Sequence, residues 1–240
     1  MISLSDLRQF KQQGRRFSCL TCYDASMAKA MELAEIDSIL IGDSLGMTIQ
    51  GHDSTLPVNV ADMAYHTAAV RRTNQHSFIM TDLPFMSYAT LNDALINAKT
   101  VMQAGAQMVK IEGGAWLSET VQTLTRNGIP VCVHLGLTPQ SVHVFGGYKL
   151  QAKTRDAADQ LIADCKAVVE AGAAVLLLEC VPAQMGKEIT ELFPNVPVIG
   201  IGAGAETDGQ VLVVQDMLGL NFGKVARFVR NFMKEQSGET

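Results

Sequence analysis

The sequence predicts an α/β protein closed as a (β/α)8 TIM barrel, and three observations carry that prediction. Short apolar runs alternate with longer amphipathic ones in one unbroken series, which argues a parallel sheet with right-handed crossovers. Eight strand candidates in 240 residues leave about 30 residues per unit, close to a barrel of roughly 250. The chain also echoes itself. Ala104-Gly105-Ala106-Gln-Met-Val-Lys-Ile-Glu112 and Ala171-Gly172-Ala173-Ala-Val-Leu-Leu-Leu-Glu179 share a helix stop, an apolar strand and a final Glu at equal spacing. An open doubly wound sheet is the competing architecture.

The strand candidates are 17–22, 38–42, 78–82, 107–112, 131–135, 174–179, 196–201 and, most weakly patterned, 211–214. Helical stretches fall near 24–35, 60–73, 91–104, 116–127, 156–171 and 183–192, with a terminal one near 224–235. Thr90 followed by Asp93 is a capping-box pattern, and Gly105 is a helix stop. About nine residues separate the last two strand candidates, too few for a full crossover helix. Glycines in Gly200-Ile-Gly202-Ala-Gly204 fail the G-x-G-x-x-G pattern and read as close backbone approach.

Composition narrows the function. At 48% hydrophobic and 18% charged residues, the chain reads as one domain over 1–240, with a core that needs no disulfide. A net charge of −5 without a basic run speaks against nucleic acid. Residues 1–10 lack the basic flank and apolar core of a signal peptide. The longest stretch free of Asp, Glu, Lys and Arg, 127–148, is broken by two prolines, two His and four Gly, so no membrane span is expected. The expectation is a cytoplasmic protein. Cys19 and Cys22 form a C-x-x-C with no second pair, on opposite faces of a strand, and read as buried thiols.

Ionisable residues fall at strand ends one after another: Asp43, Asp82, Glu112, His134 and Glu179. Strand alternation groups Ile39, Ile41 and Asp43 on one face, then Phe78, Met80 and Asp82, then Met108, Lys110 and Glu112. Cys132 and His134, and Val175, Leu177 and Glu179, follow the same count. An acid after a strand often only caps a helix, and a lone His is often a core residue. Five at one level are different, because burying charge without partners costs several kcal/mol. A shared site at the carboxyl face of a barrel satisfies them together.

Three carboxylates with a single nearby Lys suit a hard divalent cation such as magnesium, with Asp43 and Asp82 as direct ligands and Glu112 ligating or holding a bound water. Zinc spacing is missing. Glu179, beside Leu176, Leu177 and Leu178, is then the candidate base. Two long loops, 44–59 and 136–155, follow strands that carry site residues and are candidates for a lid or a second-substrate site.

The motifs Gly42-Asp43-Ser44-Leu45-Gly46-Met47, Gln50-Gly51-His52-Asp53-Ser54-Thr55-Leu56-Pro57-Val58, Asp82-Leu83-Pro84-Phe85-Met86, Val109-Lys110-Ile111-Glu112-Gly113-Gly114 and His134-Leu135-Gly136-Leu137-Thr138-Pro139-Gln140 resemble those of the ketopantoate hydroxymethyltransferase family, in register from about 17 to 232. The resemblance implies a phosphoenolpyruvate/pyruvate-type (β/α)8 barrel. It implies transfer of a hydroxymethyl group from 5,10-methylenetetrahydrofolate to 3-methyl-2-oxobutanoate, giving 2-dehydropantoate through a metal-stabilised enolate, in pantothenate and coenzyme A synthesis. One Mg2+ per subunit and a homodecamer built as a pentamer of dimers are implied with it. Residue by residue, Asp43, Asp82 and Glu112 match the metal site, and Glu179 the proton acceptor. Ser44 and Lys110 match the oxo-acid contacts, which Asp43 and Asp82 share, and His134 is placed to bond the keto or hydroxyl oxygen.

Two other readings were open. Isocitrate lyase-like barrels are similar in placing acids around magnesium, but their loop cysteine is not evident here, since Cys132 and Cys180 lie in or beside strands. A non-catalytic barrel predicts lost acids at the strand ends, and all are present.

Overall fold

The structure is a computed structural model that describes residues 1–221 and 225–234. Eight parallel strands close in chain order: β1 (Phe17–Thr21), β2 (Ser38–Ile41), β3 (Phe78–Asp82), β4 (Met108–Glu112), β5 (Val131–Gly136), β6 (Val175–Glu179), β7 (Val198–Ile201) and β8 (Gly209–Leu212). β1 pairs with β8 from Phe17↔Gly209 to Leu20↔Leu212, and this closure decides for the barrel over the open sheet. The helices are α1 (Leu4–Gln12), α2 (Ala25–Leu33), α3 (Leu45–Thr48), α4 (Val60–Thr73), α5 (Leu91–Ala104), α6 (Ser118–Arg126), α7 (Val142–Phe145), α8 (Arg155–Glu170), α9 (Ala183–Leu192) and α10 (Val214–Met217). Among the described residues, no helix is long and apolar enough to cross a membrane.

Strand side chains divide between two cores. Phe17, Cys19, Leu40, Phe78, Met80, Met108, Cys132, Val175, Leu177, Ile199 and Val211 fill the barrel, while Ile39, Ile41, Ile79, Val109, Val133 and Leu176 pack outward against the helices. Cys19 lies in the inner core and Cys22 in the outer one, as strand alternation requires. The five cysteines are free.

Several expectations change. In β2 it is Leu40 that points inward, while Ile39 and Ile41 face the helices. Asp43 does not share their face; it reaches the barrel mouth because the chain leaves the strand after Ile41. The eighth strand begins at Gly209, two residues before the expected start, and no helix separates it from β7. Gly202 (φ +60°) and Gly204 (φ +84°) turn this short connection, and a Cβ on Gly202 would stand 2.7 Å from the Phe228 ring. The terminal helix expected near 224–235 does not form over 225–234; residues 224 and 235 lie outside the described residues.

Helix α1 went unread in the sequence. Ser3 and Asp6 cap it reciprocally, and Leu7 enters the inner core from below, so the helix plugs the amino end of the barrel. Burying a side chain of that size stabilises by about 1.5–3 kcal/mol. Lys11 of α1 pairs with Asp208 at 2.7 Å just before β8.

Candidate active site

Strand register assembles the site. Asp82, the last residue of β3, stands opposite Lys110 in β4; Glu112, the last of β4, stands opposite His134 in β5. Gly136 ends β5 opposite Glu179, the last residue of β6. All seven residues singled out in the sequence, Ser44 included, line one cavity of about 430 Å³ at the carboxyl ends of the strands. Asp43, Asp82, Lys110, Glu112 and His134 are buried there.

The polar contacts form one connected row. The Asp43 backbone N–H donates to Asp82 Oδ2 at 2.9 Å. Lys110 Nζ lies 3.1 Å from Asp82 Oδ1 and 3.3 Å from Glu112 Oε1. His134 Nδ1 approaches Glu112 Oε1 at 3.0 Å, and its Nε2 lies 3.3 Å from Glu179 Oε2. Ser44 Oγ shares a 2.7 Å hydrogen bond with the Tyr23 hydroxyl. Asp82 Oδ1 and His134 Nε2 are buried with charged neighbours but no aligned hydrogen bond.

Charge is unevenly balanced along this row. Burial, then the charges of Asp82 and Glu112, hold Asp43 well above the usual carboxylate range. Burial also raises Asp82 despite Lys110 beside it. For Glu112 burial is outweighed by Lys110 and His134, which pull it down to about 2. Burial and Lys110 both oppose the charged His134, yet Glu112 and Glu179 lift the imidazole to about 9. Positive charge is therefore in short supply on the Asp43–Asp82 side.

Gly136 positions Glu179. Its φ is +85°, and a Cβ there would press inside van der Waals contact of the Glu179 carbonyl oxygen. Gly136→Ala is expected to cost about 1–3 kcal/mol in backbone strain and to displace Glu179. Chemical denaturation checks this; an unchanged midpoint would show that the strands part freely at this point.

A family model described as ketopantoate hydroxymethyltransferase matches residues 1–239 of this sequence. The chain belongs to that family. A ketopantoate hydroxymethyltransferase of Acinetobacter baumannii (strain AYE), named 3-methyl-2-oxobutanoate hydroxymethyltransferase, is 89% identical over 240 residues, covering 100% of this chain and 89% of the relative. Family membership makes the chain an enzyme and a transferase. Among solved structures, phosphonopyruvate hydrolase in complex with oxalate and Mg++ superposes with a TM-score of 0.68 at 13% identity, over 92% of this chain and 84% of that one. A 2,3-dimethylmalate lyase, described as a PEP mutase/isocitrate lyase superfamily member, gives 0.65 at 14% identity over 92% and 84%. At these identities the likenesses speak for the fold alone, the closed (β/α)8 barrel.

Three residues at the site escaped the sequence reading. Gln140 reaches Asp43, Tyr88 reaches Gln140, and the Tyr148 hydroxyl donates to Met47 Sδ at 3.6 Å where the two long loops meet. Gln140 sits in the quoted His134–Gln140 motif, which was its only signal. Tyr88 and Tyr148 had none, because their partners are remote in sequence.

Proposed function

We propose that this chain transfers a hydroxymethyl group from 5,10-methylenetetrahydrofolate to 3-methyl-2-oxobutanoate, giving 2-dehydropantoate for pantothenate and coenzyme A synthesis. The observation that carries the reading is the single cavity in which a carboxylate base, a lysine and three further acids face one another. The reading extends to a cytoplasmic homodecamer, a pentamer of dimers, with one Mg2+ per subunit.

The donor set fits magnesium. Among the described residues no three His, Cys, Asp or Glu converge as a ready-made cage, but magnesium needs only one or two carboxylates and keeps waters that substrate oxygens replace. Asp82 Oδ1, buried without a hydrogen bond, and Asp43 beside it provide those oxygens. Glu112 would ligate or hold a bound water. When bound, the ion supplies Lewis-acid polarisation of the 2-oxo acid.

The remaining work falls to the side chains. Ser44 Oγ, held by Tyr23, bonds the oxo-acid carboxylate. Glu179 takes the C3 proton, with His134 Nε2 at 3.3 Å to orient its carboxylate. Lys110 Nζ faces the negative charge that then collects on the oxo oxygen. The C3 carbon bonds to the one-carbon unit of the ring-opened folate, the carbon–nitrogen bond to that unit breaks so that tetrahydrofolate leaves, and water supplies the hydroxyl group. Cys180 borders the same cavity, where burial and Glu179 push its thiol up to about 11 and keep it protonated.

Proton NMR of 3-methyl-2-oxobutanoate with the protein, magnesium and methylenetetrahydrofolate in D2O, with and without EDTA, tests the reading. The expected result is metal-dependent loss of the C3 proton signal and a new hydroxymethyl resonance. An unchanged spectrum from folded, magnesium-loaded protein would sink it.

A further inference from the structure

Behind the row of charged groups stands a second, neutral layer that the reaction as described does not use. Gln140 follows β5 in a short 3-10 turn and is buried, as is Tyr88 in the loop after β3. The Gln140 amide nitrogen donates to Asp43 Oδ2 at 2.8 Å and to the Leu83 carbonyl at 3.0 Å. Its carbonyl oxygen accepts from the Tyr88 hydroxyl at 2.6 Å. The Gln140 backbone N–H donates to Glu112 Oε2 at 3.0 Å. Tyr88 in turn accepts the Glu112 backbone N–H at 3.2 Å.

This pattern admits one orientation of the amide. One amide hydrogen points at the Leu83 backbone carbonyl, which has no proton to give, and the other at Asp43 Oδ2. Flipping the group would set its oxygen against both of them and turn its NH2 towards the Tyr88 hydroxyl. Tyr88 therefore fixes Gln140, and Gln140 fixes one oxygen of Asp43 and, through its backbone, one oxygen of Glu112. Asp43 is left with its other oxygen for the cavity, while the other oxygen of Glu112 faces Lys110 Nζ and His134 Nδ1. A single residue thus sets the bearing of two acids that lie 69 positions apart in the chain, at 43 and 112.

Resting on the magnesium reading above, we propose that Gln140, oriented by Tyr88, is the positioning residue of the metal site: its amide holds one oxygen of Asp43 so that the other is presented to a divalent cation, and its backbone N–H anchors Glu112 beside it. Partners that orient metal-binding carboxylates commonly contribute tenfold to a hundredfold in affinity. A residue that served packing alone would leave that affinity unchanged once the protein is folded.

The test is isothermal titration of magnesium into the parent protein, Gln140→Met and Tyr88→Phe, with circular dichroism to confirm folding. Gln140→Met keeps the length of the side chain and removes both amide contacts; its magnesium Kd is expected to rise about tenfold or more. Tyr88→Phe leaves Gln140 in place without its orienting partner and gives a smaller rise. At saturating magnesium Tyr88→Phe recovers its kcat, while at limiting magnesium it falls behind the parent. Equal Kd values in parent and folded variants overturn this inference alone. Should Gln140→Met fail to fold, an unchanged Kd in Tyr88→Phe overturns it. A parent protein that binds no magnesium overturns the metal reading itself, and this inference with it.

Discussion

Glu179→Gln is expected to abolish exchange of the C3 proton of 3-methyl-2-oxobutanoate while leaving magnesium binding nearly intact. The amide keeps the shape and the contact with His134 Nε2 but cannot accept a proton at neutral pH. General-base removal of this kind lowers kcat on the order of 10²- to 10⁴-fold. Metal binding should survive because Glu179 lies on β6, on the far side of His134 from the Asp43–Asp82 pair. Deuterium exchange by NMR and magnesium titration on the same sample separate the two effects. Joint loss would make Glu179 a ligand instead of a base.

Lys110→Met is expected to have the largest effect on stability. Lys110 is 3% exposed and is the ammonium shared by Asp82 and Glu112 at 3.1 and 3.3 Å. Its neighbours Asp82, Glu112 and Asp43 outweigh burial and hold its pKa well above the ordinary lysine value, so it is charged in the fold. Removing one partner of a buried charge cluster costs about 3–5 kcal/mol, because the acids left behind have no compensation. Adding Asp82→Asn to Lys110→Met should recover part of that loss, since one uncompensated charge goes with it. Urea denaturation of the two variants measures both numbers. A Lys110→Met variant as stable as the parent would mean that the acids are protonated or solvated in the folded protein.

Much of the site was legible because strands β3 to β6 carry their acids and histidine at or near their carboxyl ends. In β4 the inward series Met108, Lys110, Glu112 announces both the face and the level of the site. Alternation failed in β2 for a physical reason. Ser38, Ile39, Leu40 and Ile41 are all buried and none is ionisable, so no charged residue within the strand marks which face is inward. Helix α1 was legible in principle, through Ser3 and Asp6 and the spacing of Leu4, Leu7 and Phe10. Gln140 and Tyr88 were not, since their bonds to Asp43 and to each other span 97 and 52 positions. The displaced eighth strand opens on Gly209, whose missing side chain makes room for the Phe17 ring, and glycine gives no apolar signal to read.

The closure of β1 on β8 also has a consequence for synthesis in the cell. Lys11 waits for Asp208, 197 positions later, and the Thr21 hydroxyl waits for the Val214 backbone N–H, 193 positions later. At about 5–20 residues per second, translation leaves β1 with a bare edge for on the order of ten seconds or more. An unpaired edge is a template for pairing with another chain. The nascent protein is therefore most exposed to aggregation before its last strand emerges, and ribosome-associated chaperones have the longest window on its first fifty residues.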